Sequence, residues 1–391
     1  MRLDGWRPRL GAIAALLALT GCAAMPQRLG QQNEPGWTAP AGAGPALSQL
    51  RYDQLPGWSA DQAAQALPVF LEDCQAWEAQ LPGTLGGRDD AAALGGTADK
   101  WRPACAAAHA VPAGDDPAAR TFFETWFRPY GLSADGSAHG LFTGYYEPEV
   151  PGSRKEGGVY RWPLLRRPPD LGSRPNYYTR AQIDSGALKK RHLELLWLAD
   201  PIDAFFLHVQ GAGRVRLPDG EVIRVSYDGQ NGQQYVPIGR VLVARGEMTL
   251  DQVSMQSVRA WLVSHPGEAR AVMDSNPSYV FFREVHDADP DEGPPSTLGV
   301  PLRPGRSLAV DKDYVPLGAP VWIDTKDPVS GAPIRRLMMA QDLGGAIKGP
   351  VRADIFFGWG KDAEQRAGLM RQQGTEVVLL PNAEAAKTAA Q

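Results

Sequence analysis

Three cysteines in 391 residues are too few for a disulfide-built scaffold or a four-thiolate zinc site. The chain also lacks a G-x-S-x-G elbow, an H-E-x-x-H pair and a Walker sequence. These absences set aside the familiar serine-hydrolase, zinc-protease and P-loop signatures. A formal net charge of −4 argues against the basic face that phosphate backbones require, so no nucleic-acid partner is expected. No apolar run reaches the 18 residues of a membrane-spanning helix. No internal repeat is visible. What remains is a chain that is 43% apolar and only 21% charged, enough to bury a real core. Its 43 glycines and 34 prolines have no collagen period and suit many short strands joined by turns.

The first segment reads as an address. Arg2, Arg7 and Arg9 precede the apolar run Leu10 to Leu19, which as a helix would span about 15 Å, half a bilayer core. It ends in Leu19-Thr20-Gly21-Cys22, which resembles a bacterial lipoprotein cleavage site. Residues 1–21 are therefore expected to be a signal peptide, with Cys22 as the lipidated first residue. By the same resemblance, Ala23 at the following position points to the periplasmic face of the outer membrane. Residues 22–50, rich in Ala, Gly, Pro and Gln, read as a flexible tether. Cys74 and Cys105 then sit in an oxidising space, either bridged, which we favour, or as two buried thiols.

The body is expected to be mainly β with peripheral helices. A helix pattern runs from Ser59 through Trp77, interrupted or kinked at Pro68, and another covers Asp116 to Phe127. The pattern becomes strand-like from Leu141, with a hairpin around Pro218-Asp219-Gly220. Helices return between 238 and 274, where Thr249 and Gln252 fit a capping box. Strands are expected at 308–310, 321–323, 337–340, 354–357 and 376–380, with a helix over 361–373 and a frayed tail at 382–391. His208, in Phe205-Phe206-Leu207-His208-Val209, reads as a core residue rather than a ligand.

Three aspartates in the last third stand at the ends of apolar runs: Asp311, Asp342 and Asp354. Any one of them alone is ordinary turn chemistry. Together they suggest a site, because the glycine-rich link Gly344-Gly345-Ala346-Ile347-Lys348-Gly349 could bring Asp342 and Asp354 close. By the period-two rule Arg352, Asp354 and Phe356 share one strand face. A carboxyl beside an aromatic and another carboxylate is held neutral more easily, and Lys348 and Arg352 oppose that.

Phe142-Thr143-Gly144-Tyr145-Tyr146-Glu147-Pro148, His208-Val209-Gln210-Gly211, Tyr227-Asp228-Gly229-Gln230-Asn231-Gly232, Ser275-Asn276-Pro277-Ser278-Tyr279 and the three-aspartate region resemble the membrane-bound lytic murein transglycosylase A family with its 3D domain. The resemblance covers about residues 120–381. It implies a double-psi β-barrel from 51–148 and 279–381 (3D region about 298–381). A smaller β-rich domain at 149–278 would be inserted in it, with a substrate groove between the two. It also implies cleavage of peptidoglycan glycan strands to 1,6-anhydromuramoyl products by one carboxyl acting as acid and then base. By motif that carboxyl is Asp354, with Asp342, Asp311 and Lys348 in support. Thr143, Tyr145, Gln210, Gln230 and Asn231 are offered as groove contacts. No metal or cofactor is implied. The partners are the glycan strands, the membrane through Cys22, and cell-wall synthesis proteins as candidates. The alternatives are a non-catalytic wall-binding lipoprotein, a hydrolase pairing Asp354 with Glu147, and a metal site on the three aspartates.

Overall fold

A computed structural model describes residues 37–79, 84–172, 177–286, 289 and 292–389. The signal peptide, Cys22 and the first part of the tether lie outside the described residues. The chain opens with strands β1 (Pro45–Gln49), β2 (Phe127–Ala134) and β3 (His139–Glu147). Strands β4 (Glu149–Ser153), β5 (Trp162–Leu165), β6 (Glu194–Leu198), β7 (Ala212–Arg216), β8 (Val222–Gln230) and β9 (Val280–Val285) follow. The last five are β10 (Ser307–Val310), β11 (Pro320–Lys326), β12 (Pro333–Leu343), β13 (Arg352–Trp359) and β14 (Arg371–Pro381).

These strands make two sheets. One runs β1-β2-β14-β11-β12-β10-β13-β3, and a further β14–β3 pairing closes six of its strands into a barrel. Closure leaves those six strands without a free edge. Within the barrel β10 lies parallel to β12 and β13 parallel to β3. Strand β3 is gripped from both sides, by β13 and by β14. At Gly140 a Cβ would meet the carbonyl oxygen of Val351 at 1.8 Å, so only glycine permits that approach. The second sheet runs β5-β6-β4-β7-β8-β9 and forms a separate lobe.

Four helices pack beside the barrel: α1 (Ala63–Ala79), α2 (Asp89–Gly95), α3 (Arg102–Ala108) and α4 (Asp116–Trp126). Five belong to the second lobe: α5 (Arg180–Asp184), α6 (Pro201–Gln210), α7 (Ile238–Ala244), α8 (Met255–Ser264) and α9 (Pro266–Asp274). Helix α10 (Gly360–Leu369) lies between β13 and β14, and α11 (Ala383–Ala389) ends the described chain. Asp115 caps α4 by accepting the Ala118 N–H at 2.9 Å. The barrel core is aromatic where the helices meet it. Phe70, Phe122, Phe123 and Phe127 stand in mutual contact with centroids 5.1–6.0 Å apart. Each buried ring contributes roughly 2–3 kcal/mol. A Cys74–Cys105 disulfide ties α1 to α3 across 31 residues, a constraint worth about 2–4 kcal/mol in such a loop.

Several expectations need correction. The tether does not run to residue 50: β1 pairs with β2 from Pro45↔Ala134 to Gln49↔Tyr130, and Trp37 is buried. An edge strand needs only backbone partners, so an Ala/Gly/Pro composition does not prevent it. Strand β9 belongs to the second sheet, although the barrel was expected to resume at 279. Pro68 sits inside α1 without ending it. The Phe205-Phe206-Leu207 run is helical, not a strand. The Thr249 capping box closes a short 3-10 turn at Leu250–Gln252, and α8 starts afresh with Ser254 as its cap. The tail at 383–389 is helical rather than frayed.

Candidate active site

The three aspartates come from three neighbouring barrel strands. Ala309 of β10 is the register partner of Asp342 on one side and of Asp354 on the other. The two carboxylates are thus two strands apart, about 10 Å between backbones, with β10 between them. The glycine-rich link does not bring them into direct contact.

Asp354 pairs in register with Thr143 of β3. The Thr143 hydroxyl donates to Asp354 Oδ1 at 2.8 Å and accepts from Arg352 Nη2 at 2.9 Å. An arginine can only donate, so its hydrogen bond points the threonine proton at Oδ1. When Asp354 is protonated its own hydrogen is therefore placed on Oδ2, which has no hydrogen-bond partner among the described residues. The side chain is half-buried. Burial pushes its carboxyl up to about 6; Arg352 and the Thr143 hydrogen bond oppose that rise, and the charge of Asp342 adds to it.

Asp342 is fully engaged. Its Oδ1 accepts from Thr297 N at 3.0 Å, Thr297 Oγ1 at 2.5 Å and Leu343 N at 3.0 Å, and its Oδ2 accepts from Tyr145 OH at 3.3 Å. Burial raises this carboxyl, and the hydrogen bonds pull it back. Burial, then Asp342 and Asp354, push the Tyr145 hydroxyl well above its ordinary range, so it stays a donor. Its ring lies 5.2 Å from that of Phe356. Asp311, buried after β10, accepts from Gly349 N at 2.9 Å and faces Lys348 Nζ at 3.7 Å. It ties the 344–350 loop to the barrel. Among the described residues no three carboxylate, imidazole or thiol groups gather closely enough to hold a metal.

The second lobe reaches this site through Gln210, at the end of α6, whose Oε1 accepts from Tyr146 N at 3.2 Å. Further contacts between the lobes run from Gln256 to the Glu364 carbonyl and from Arg371 to the Leu250 carbonyl. At the join, Glu147 is fully buried between Arg214 (2.9 Å) and Arg224 (3.1 Å). Those arginines also donate to the carbonyls of Glu292 and Asp289.

A model of the MltA specific insert domain matches residues 141–283, and a 3D domain model matches residues 306–380. The membrane-bound lytic murein transglycosylase A of Escherichia coli K12 is 36% identical over 253 residues, 63% of this chain and 67% of that protein. The chain belongs to this transglycosylase A family. A membrane-bound lytic murein transglycosylase from Agrobacterium tumefaciens superposes with a TM-score of 0.78 at 34% identity, over 88% of this chain and 99% of that one. Escherichia coli MltA with bound chitohexaose gives 0.70 at 28% identity, over 90% and 98%.

Of the residues singled out in the sequence, Thr143 bonds directly to Asp354, while Tyr145 bonds to Asp342, two strands away from it. Asn231 does not join them. It is buried, with its Nδ2 donating to the carbonyls of Tyr178 and Pro277 and its Oδ1 accepting from Gln233 and Tyr279. Its amide holds loops together and cannot reach a sugar. Gln230 is exposed at the end of β8, in the second lobe. Lys348, also exposed, pairs with Asp311 and not with Asp354. The pairing of Asp354 with Glu147 fails, because both oxygens of Glu147 are held by arginines. Sequence reasoning missed Thr297, Tyr235 and Glu376. The Asp354 charge helps raise the Tyr235 hydroxyl, behind burial and against Arg180. Glu376, fully buried on β14, accepts from Arg352 N at 3.0 Å, and burial pushes it up to about 8. No local signal marks these positions.

Proposed function

We propose that this enzyme cleaves the β-1,4 bond between N-acetylmuramic acid and N-acetylglucosamine in peptidoglycan without water, and that Asp354 acts alone as acid and then base. Protonated Asp354 hands the hydrogen on Oδ2 to the bridging oxygen while the bond from that oxygen to muramoyl C1 breaks. The carboxylate then takes the proton of the muramoyl C6 hydroxyl as O6 bonds to C1 and closes the 1,6-anhydro ring. The acid ends protonated, as it began. One observation carries this reading: a half-buried carboxyl that burial pushes up to about 6, with one oxygen unbonded and no second unengaged carboxylate beside it among the described residues. Hydrolysis by a carboxylate pair needs that second group.

Thr143 is a positioning residue here rather than a sugar contact, because its hydroxyl is committed to Asp354 and Arg352. Tyr145 and Gln210 flank the cleft and are the proposed glycan contacts, with exposed Gln230 further out on the second lobe. Among the described residues the Gln210 amide nitrogen has only the weak acceptor Met255 Sδ at 4.0 Å, which leaves it open to a sugar oxygen. Asp342 keeps Tyr145 in place and Asp311 fixes the loop that carries Lys348. Digestion of murein sacculi in ¹⁸O-water tests the reaction: anhydromuropeptides without label are expected, and labelled reducing ends would refute it.

The relatives are named membrane-bound, and the Leu19-Thr20-Gly21-Cys22 sequence gives this chain a lipid anchor at Cys22, on the periplasmic face of the outer membrane. Palmitate labelling in cells should be present in the native chain and absent from Cys22→Ser. Label retained in that variant would remove the assignment.

A further inference from the structure

The second lobe holds a cavity of about 510 Å³ whose lining shares no residue with the surroundings of Asp354. At its depth lie Arg180 and His208, only 4% and 6% exposed. Arg180 Nε donates to the Asn276 carbonyl at 3.2 Å, and Nη2 donates to the Ser278 carbonyl at 2.7 Å. Nη2 also approaches His208 Nδ1 at 3.3 Å. Since the guanidinium has no acceptor, Nδ1 must accept, and the neutral imidazole carries its hydrogen on Nε2. Two donors are left over. Neither Arg180 Nη1 nor His208 Nε2 has a hydrogen-bond partner among the described residues, and both side chains line the cavity.

The surroundings sharpen what could meet them. The guanidinium lies over the rings of Phe205 (4.8 Å) and Tyr279 (5.2 Å), and among the described residues no carboxylate stands within ion-pair distance of it. Ile202, Leu262 and Met273 make the walls apolar. A buried cation whose nearest acidic groups, Asp184 and Asp274, act on it only from beyond ion-pair distance keeps unused donors, and beside the second donor it favours a planar anion that can accept from both. Asp184 and Asp274 also line the cavity. Their charge disfavours a polyanion and favours a ligand with a positive group of its own. Trp162 and Val263, 39% and 60% exposed, are apolar lining residues open to solvent.

We propose that this cavity is a receptor for the free carboxylate of an amino acid or short peptide, with the ligand's ammonium group set against the acidic lining. The peptide side chains of peptidoglycan carry such ends. Naming them as the source rests on the function proposed above; the receptor itself does not.

Imidazole NMR of the native chain, titrated with D-alanyl-D-alanine, tests the inference. Saturable binding on the order of 1 mM is expected, with the His208 Nε2–H resonance moving. The C-terminal amide of the dipeptide should bind at least about tenfold more weakly, and Val263→Glu should weaken the acid about tenfold while leaving lysis of sacculi unchanged. Chitohexaose should not compete. An amide that binds as well as the acid, inorganic phosphate that binds better, or a His208 signal that does not respond would each overturn the receptor. Failure of the receptor with anhydromuropeptide release intact would leave the catalytic reading standing. Dipeptide binding without any release would do the reverse.

Discussion

Asp354→Asn should stop the release of 1,6-anhydromuropeptides from sacculi, a loss of about 10²–10⁴-fold or more, while the folded variant still pellets with the wall. The amide is nearly isosteric and can accept from Thr143, but it has no proton to give or recover. The pH dependence identifies the same group. Its carboxyl is pushed up to about 6, and the first step needs the protonated form. The rate is therefore greatest below that pH and falls about tenfold per unit above it. Asp342→Asn removes a neighbouring negative charge and should move the fall to lower pH. An asparagine there can still accept from Thr297 and Leu343 through its oxygen and donate to Tyr145. Arg352→Gln removes the cation that opposes protonation, so the fall should move to higher pH. It should also lower the plateau, because the Thr143 hydroxyl is no longer aimed. A fall that stays put in both variants would mean that Asp354 is not the titrating acid.

Glu147→Gln should destabilise the fold by about 3–5 kcal/mol, read as a drop in urea midpoint at unchanged slope. The two arginines would keep their burial and lose the carboxylate that both of them bond. Replacing all three by apolar residues of similar volume should restore much of the loss, since the penalty comes from uncompensated charge and not from the absence of an ion pair. If Glu147→Gln cost under about 1 kcal/mol, the triad would not be what joins the lobes. A large stability loss with the pH profile of the surviving enzyme unchanged would also separate this residue from the chemistry.

The strands around Asp311, Asp342 and Asp354 were legible because they are apolar runs that meet an aspartate, whereas the barrel itself was implied only by the family resemblance. Helix α6 was not legible, because Phe205-Phe206-Leu207-His208-Val209 is apolar on all sides and has no readable period. Strand β1 was hidden by its composition: hydrogen bonds to β2 come from the main chain, which the residue types do not report. At the site, the motif pointed to Asp354 and the period-two rule placed Arg352 on its face. Thr143 lies 211 residues away and was read as a sugar contact, since only the closed barrel reveals its hydroxyl between acid and arginine. Asn231 was misread for the converse reason. A polar residue in a glycine-rich turn looks available until the surrounding carbonyls are seen to claim it.

Along β3 the side chains at 143, 145 and 147 project to one side, and each does a different job: aiming the acid, holding the second aspartate, and fastening the other lobe. A shift of this strand by a single position would turn all three away together. Catalytic alignment and lobe attachment thus share one molecular ruler, so the enzyme is expected to lose activity and architecture in the same step and not to persist as a half-working form.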